Sequence, residues 1–229
     1  MKKKGRFREK MAAFFADTSP FMTMVGHIAL LVVMNLCWLI CSLPVVTVGA
    51  STAALYSVLL NFPSLSFDSA FKAFFQAFAR RWKTATLLWI PYLAAGALLV
   101  LDWRLLTAQG LADNLGVNVL LLLAASVYCF SLQWLFPVLA ATGKGVIATV
   151  KLAFLLGLRE LWRSFLLVGL TCVPLFLFIF YAQTFMALWG CWLLFGFAVL
   201  AFLKSRLMAP ILRALAPPNA AQETTAKRP

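Results

Sequence analysis

The chain has 229 residues, of which 63% are hydrophobic and 12% charged, and its mean hydropathy is +0.92. This is more apolar side chain than one soluble core could bury, so the composition excludes an ordinary soluble domain and requires a lipid bilayer. The net charge of +13 would suggest nucleic-acid binding in a soluble protein, but in a membrane protein it reports on topology, and we expect no nucleic-acid partner.

The charged residues form five clusters, at 1–20, 68–83, 102–113, 144–163 and 204–228, and the stretches between them are uncharged. Of the 20 Lys and Arg residues, only Arg104 lies in the third cluster. Because short basic segments stay in the cytoplasm, this asymmetry predicts that both termini are cytoplasmic. It also predicts that Arg80 and Lys151 face the cytoplasm and that Asp113 lies outside.

In chain order, we predict a basic cytoplasmic segment at 1–20, a membrane domain at 21–213 and a disordered cytoplasmic tail at 214–229. The fold class is all-α, a polytopic membrane helical bundle of about six transmembrane helices with amphipathic helices at the cytoplasmic interface. The predicted spans are 21–43, 45–61, 84–101, 115–139, 164–182 and 186–203.

The second span is short. A helix from Ala50 to Asn61 would reach only about 18 Å, whereas the hydrocarbon core is roughly 30 Å thick. We therefore expect the connection at 44–49 to dip into the membrane. A re-entrant segment is the alternative, but it would put the first two basic clusters on opposite faces, so the charge distribution favours crossing. Whether 45–61 crosses fully stays open.

Between the second and third spans, aromatic residues recur every three or four positions, and charged residues lie between them. This pattern predicts an amphipathic helix at the cytoplasmic interface, whose stripe faces either lipid or the bundle. Segment 146–163 has a similar amphipathic pattern. The stripe consists of Phe67, Phe71, Phe74, Phe75, Phe78 and Trp82.

Few residues could carry chemistry. One histidine, His27, and five cysteines in apolar stretches offer no metal site, and no predicted span contains a carboxylate. We therefore expect no catalytic residue, no cofactor and no enzymatic activity. Neutral polar residues in the spans could line a solute path or join helices by hydrogen bonds, and these are Asn35, Thr47, Ser51, Thr52 and Gln133. A run of small residues predicts a close helix-packing face at Gly49, Ala50, Ala53 and Ala54.

Several stretches are similar to a known family. They are Asn35-Leu36-Cys37-Trp38, the run from Leu43 to Leu55, Arg81-Trp82-Lys83, Asp102 and Phe136-Pro137. Together they resemble the YesL-like family of bacterial integral membrane proteins, a domain of unknown function, over roughly residues 20–210. The resemblance implies the bacterial cytoplasmic membrane and no known activity. Family members are often encoded beside carbohydrate-uptake ABC transporters, which implies a role in sugar acquisition.

The sequence therefore favours an accessory protein of carbohydrate uptake that packs against partners such as ABC transporter components, using the small-residue face. We expect no gradient-driven transport, because the predicted spans are uncharged. A small-solute transporter or channel is the alternative. An ABC permease subunit is less favoured, because Lys151-Leu152-Ala153 and Gly157 match only fragments of an ATPase-docking loop.

Overall fold

The computed structural model describes residues 20–62, 66–110, 114–181, 183, 186, 190 and 192–215. All regular elements in this part of the chain are helical. In order they are α1 (Pro20–Ser42), a 3-10 turn (Val45–Thr47), α2 (Val48–Leu59), α3 (Phe67–Ala108), α4 (Leu115–Thr142), α5 (Val146–Arg159), α6 (Leu161–Phe180), a π-helical segment (Trp192–Gly196) and α7 (Phe197–Leu215). The predicted basic segment up to residue 19 and the tail from residue 216 lie outside the described residues.

Five helical stretches in the described part of the chain are long and apolar enough to cross a membrane. They are Thr23–Ser42, Phe67–Ala108, Leu115–Thr142, Leu161–Phe180 and Trp192–Leu215. The predicted all-α class with membrane-spanning helices is confirmed. A sixth apolar stretch, Val45–Leu59, is shorter, so the count of about six crossings stays a prediction.

α1 and α2 form a closed hairpin around the 3-10 turn. The Thr47 hydroxyl donates to the Cys41 carbonyl at 2.6 Å, which ties the turn to the end of α1. At the other end, the Phe62 ring lies 4.9 Å from the His27 ring. α2 therefore returns the chain to the level of His27, about two turns into α1, and this favours an antiparallel return over a re-entrant loop.

α2 is the most enclosed helix of the hairpin. It has 12 residues, nine of which are buried, and is about 18 Å long. Its neighbours shield it on several sides, because α1, α3, α4 and α7 all pack against it. A helix this short need not cross a bilayer alone when its polar backbone is covered by protein.

α3 is one continuous helix of 42 residues, about 63 Å long. The amphipathic segment 67–82 and the span 84–101, which we predicted as separate elements, belong to it without a break, and this corrects the boundary. The sequence from 67 to 90 contains neither Gly nor Pro, so nothing in the backbone interrupts the helix. Pro91 lies inside the helix and does not end it.

α4 runs antiparallel to α3. The Tyr128 hydroxyl donates to the Tyr92 carbonyl at 3.0 Å. Closer to the other end of α4, Arg81 donates to the carbonyls of Leu139 and Ala140 at 3.0 and 2.6 Å. Both carbonyls lie in the last turn of α4, where backbone acceptors run short of helical partners, although the Leu139 carbonyl also accepts from the Gly143 N–H at 3.0 Å. The Arg81 guanidinium therefore caps this helix from α3.

α5 folds back along α4, and α6 follows after a break. A methyl group on Gly157 would lie 3.2 Å from the Phe130 backbone, which shows how closely α5 approaches α4. At Glu160 the backbone leaves the helical region, with φ −105° and ψ 49°. The predicted interfacial segment 146–163 is therefore divided at Glu160, and α6 begins at Leu161 rather than at 164.

Candidate functional site

Asn35 joins α1 to the π-helical segment. Its side-chain amide donates to the Leu193 carbonyl at 2.6 Å and accepts from the Ala198 backbone N–H at 2.8 Å. These two backbone groups are five residues apart and would face each other across a π turn. The fully buried Asn35 amide is thus inserted into the hydrogen-bond ladder of the last long helix.

The hydroxyl candidates near the hairpin turn bond within the hairpin. The Trp38 indole N–H donates to the Thr52 hydroxyl at 3.1 Å, and Ser42 and Ser51 share a hydrogen bond of 2.6 Å. Thr47 closes the turn onto Cys41. Helix-to-helix hydrogen bonding is therefore the observed role of these side chains, and it holds α1 against α2.

The small-residue face lies inside the bundle. Ala50, Ala53 and Ala54 are fully buried, and a methyl group on Gly49 would lie 2.8 Å from the Trp89 Cβ. The face packs α2 against α3 and leaves no exposed surface for another protein. Our expectation that partners dock on this face is therefore wrong for this conformation.

The aromatic stripe of α3 is divided between bundle and surface. Phe74 is fully buried in the core, and Phe78 is half-buried against it. Phe71, Phe75 and the remaining stripe residues Phe67 and Trp82 are between 41% and 49% exposed. Phe74 therefore faces the bundle, which was one of the two predicted alternatives, whereas the flanking rings are exposed and can contact lipid.

A polar cluster of Gln133, Thr171 and Lys204 joins α4, α6 and α7. The Gln133 amide donates to the Thr171 hydroxyl at 2.7 Å. The Lys204 ammonium donates to the Thr171 hydroxyl at 2.6 Å and to the Gln133 side-chain carbonyl at 3.1 Å. Lys204 is 9% exposed, and among the described residues no carboxylate lies within 4.0 Å of its nitrogen.

Lys204 was missed by the sequence reasoning, which assigned it to the last cytoplasmic charge cluster. It lies within Trp192–Leu215, a helix apolar enough to cross a membrane, one position beyond the predicted span 186–203. That the spans themselves are uncharged stays a prediction. Helical spacing could have located Lys204. The buried face of α7 repeats every three or four residues and comprises Ala198, Ala201, Lys204, Ser205, Met208, Ala209 and Leu212.

The described bundle has surface grooves at three places that matter here, and none of these three includes the five polar candidates. One lies between α1 and α7 beside His27, one between α6 and α7, and one between α3 and α4 beside Asp102. All three linings are predominantly apolar. Every buried side-chain nitrogen or oxygen in the described residues has a hydrogen-bond partner.

These helices and their buried contacts define the class of protein, which is an integral membrane helical bundle. Residues 31–103 match a family model, DUF624, described as a protein of unknown function. The match covers the second half of α1, all of α2 and most of α3, and it is consistent with the YesL-like resemblance. No curated protein and no solved structure matches the chain.

Proposed function

We propose that this chain is a non-enzymatic accessory protein of bacterial carbohydrate uptake. It lies in the cytoplasmic membrane with both termini in the cytoplasm, and it acts through contacts with other membrane proteins such as ABC transporter components. The YesL-like resemblance supports the connection with carbohydrate uptake. The basic clusters support the orientation, because Lys and Arg are retained on the cytoplasmic side.

One observation carries the accessory role. The buried polar side chains of the described bundle are hydrogen-bonded to one another and to backbone groups, and Asn35 is inserted in a helix ladder. Such groups are committed to holding helices together, whereas a solute path needs polar groups that can exchange partners with the solute. Contacts with other proteins would then use the exposed apolar faces, such as Leu120 on α4 at 71% exposure.

A second function, a small-solute facilitator, is favoured by the cluster around Lys204. An ammonium group inside a membrane-spanning helix is costly unless it is paired, and such residues often mark solute or ion paths. Gln133 and Thr171 supply neutral acceptors, and the exposed Thr171 gives the cluster an edge at the surface of the described bundle. A carboxylate or a sugar hydroxyl could bind there.

Two experiments on the full chain separate these functions. In proteoliposomes, we expect neither accumulation of labelled sugars under an imposed proton or sodium gradient nor passive sugar flux above that of protein-free vesicles. From detergent extracts of the native membrane, we expect the tagged chain to enrich components of a sugar uptake system over an unrelated tagged membrane protein. Gradient-driven accumulation that is lost in Gln133→Leu would overturn the accessory role, and passive flux lost in Lys204→Met would establish the facilitator.

A further inference from the structure

Two of the apolar grooves meet at one side of α7. The first has a volume of about 440 Å³ and lies between α1 and α7, and the second has a volume of about 380 Å³ and lies between α6 and α7. Phe202 and Arg206 line both of them. Aliphatic side chains form most of the remaining walls, including Ile28 and Leu31 in the first groove and Leu166 and Leu170 in the second.

Arg206 places a positive charge at the junction. Its guanidinium carbon lies 4.8 Å from the centre of the Phe202 ring, in a cation–π contact. Among the described residues, no carboxylate lies within 4.0 Å of the guanidinium. The His27 ring also lines the first groove, on α1. An arginine with several unshared donors on an apolar surface suits a phosphate group, which it can bind through two hydrogen bonds.

We propose that this surface binds an anionic phospholipid, with the phosphate on Arg206 and one acyl chain in each groove. Two apolar grooves that diverge from one cation reproduce the branching of two chains from one headgroup. Each groove has room for roughly 13–15 groups of the size of a water molecule, which is of the order of an acyl chain. Free phosphate would leave both grooves unfilled. A helix of a partner protein, about 10–12 Å wide, could not enter both grooves on the two sides of the Phe202 ring.

The test compares lipid retention by the full-length protein and its variants. The protein is placed in nanodiscs that contain equal amounts of phosphatidylglycerol and phosphatidylcholine and is then extracted in mild detergent. Native mass spectrometry counts the lipids that stay bound. We expect the wild type to retain phosphatidylglycerol in preference by about tenfold, because phosphatidylcholine carries its own choline cation beside the phosphate, so its headgroup has no net charge and is attracted less by Arg206. Arg206→Gln should reduce the ratio to near one, and Arg206→Lys should keep part of it.

Matched controls distinguish a specific lipid site from the general electrostatic attraction of an anionic lipid to a basic protein. Arg213→Gln removes the same charge from an exposed position of α7 outside both grooves and should leave the preference unchanged. Leu170→Trp fills the second groove while Arg206 stays, and it should also lower retention. Equal retention of both lipids by the wild type, an equal loss in Arg213→Gln, or displacement of the lipid by millimolar inorganic phosphate would each overturn the proposal.

Discussion

Lys204 is stabilised by neutral acceptors, so removing an acceptor and removing the charge have different consequences. In Gln133→Leu the ammonium stays buried with one acceptor fewer, and we expect the free energy of unfolding to fall by about 1–3 kcal/mol. In Lys204→Met the charge is removed at similar volume, and we expect a small loss or a gain. Thermal unfolding in detergent measures both effects.

The control for this pair is Gln76→Leu, the same chemical change at an exposed position of α3. It should leave the melting temperature close to that of the wild type. A larger loss in Lys204→Met than in Gln133→Leu would mean that the lysine itself, through its stem or an additional partner, stabilises the bundle.

At the level of single residues, the sequence identified the polar groups better than their partners. Asn35 was a candidate because an amide in an uncharged stretch is conspicuous, but its partner Leu193 lies 158 positions away. No local pattern encodes that contact. The buried contacts of Lys204 were missed because the predicted span ended at the first charge, although a long lysine stem lets a charged residue lie on the buried face of an apolar helix.

At the level of helices, the contact of α2 with α3 depends on Gly49. A methyl group there would lie 2.9 Å from the Ala85 carbonyl oxygen and 2.8 Å from the Trp89 Cβ, so the two helices must separate. We expect Gly49→Ala to lower the free energy of unfolding by about 1–3 kcal/mol, as overpacking usually does. Chemical or thermal unfolding of the purified protein measures the change.

Gly26→Ala is the comparison, because a methyl group on Gly26 meets nothing within 4 Å. Alanine favours the helix over glycine by up to about 1 kcal/mol, so this variant should be neutral or stabilised. If both variants behave alike, helix propensity rather than the close contact governs the effect of Gly49.

The sequence predicted where helices occur more reliably than where they begin and end. The break expected at residue 83 was inferred from charge, but Arg80, Arg81 and Lys83 are good helix formers and do not end a helix. Charge places a segment relative to the membrane, whereas Gly, Pro and capping contacts decide where a helix ends. The end of α4 shows the latter, because Gly143 adopts φ 61° there and Arg81 binds the last carbonyls.

For the whole molecule, the orientation in the membrane is the decisive prediction. In a cysteine-free background, an impermeant maleimide should label Gln109→Cys from outside intact cells, because this residue follows α3 at the far end from Phe67. Arg80→Cys and Lys151→Cys should be labelled only after lysis, since basic segments stay in the cytoplasm. External labelling at position 80 would contradict the proposed orientation.

The described bundle agrees with this arrangement at the first hairpin. Because Phe62 returns to His27, the start of α1 and the start of α3 lie on the same side, as the first two basic clusters require. The shortness of α2 was evident from the sequence, because the residues from Ala50 to Asn61 reach only about 18 Å. Its burial by four neighbouring helices was not, since that is a property of the assembled bundle.

The length of α3 has a mechanical consequence. The Trp89 indole, near the middle of α3, donates to the Val45 carbonyl at 2.8 Å and so binds α3 to the turn of the hairpin. Beyond Leu88 no residue of α3 is buried, and Pro91 lies two residues past this hydrogen bond. The outer half of α3, with α4 beside it, is therefore a two-helix arm about 28 Å long, and at its base Pro91 leaves α3 one backbone hydrogen bond short. Bending this arm by about 10° moves its tip by about 5 Å while the enclosed α2 keeps its place.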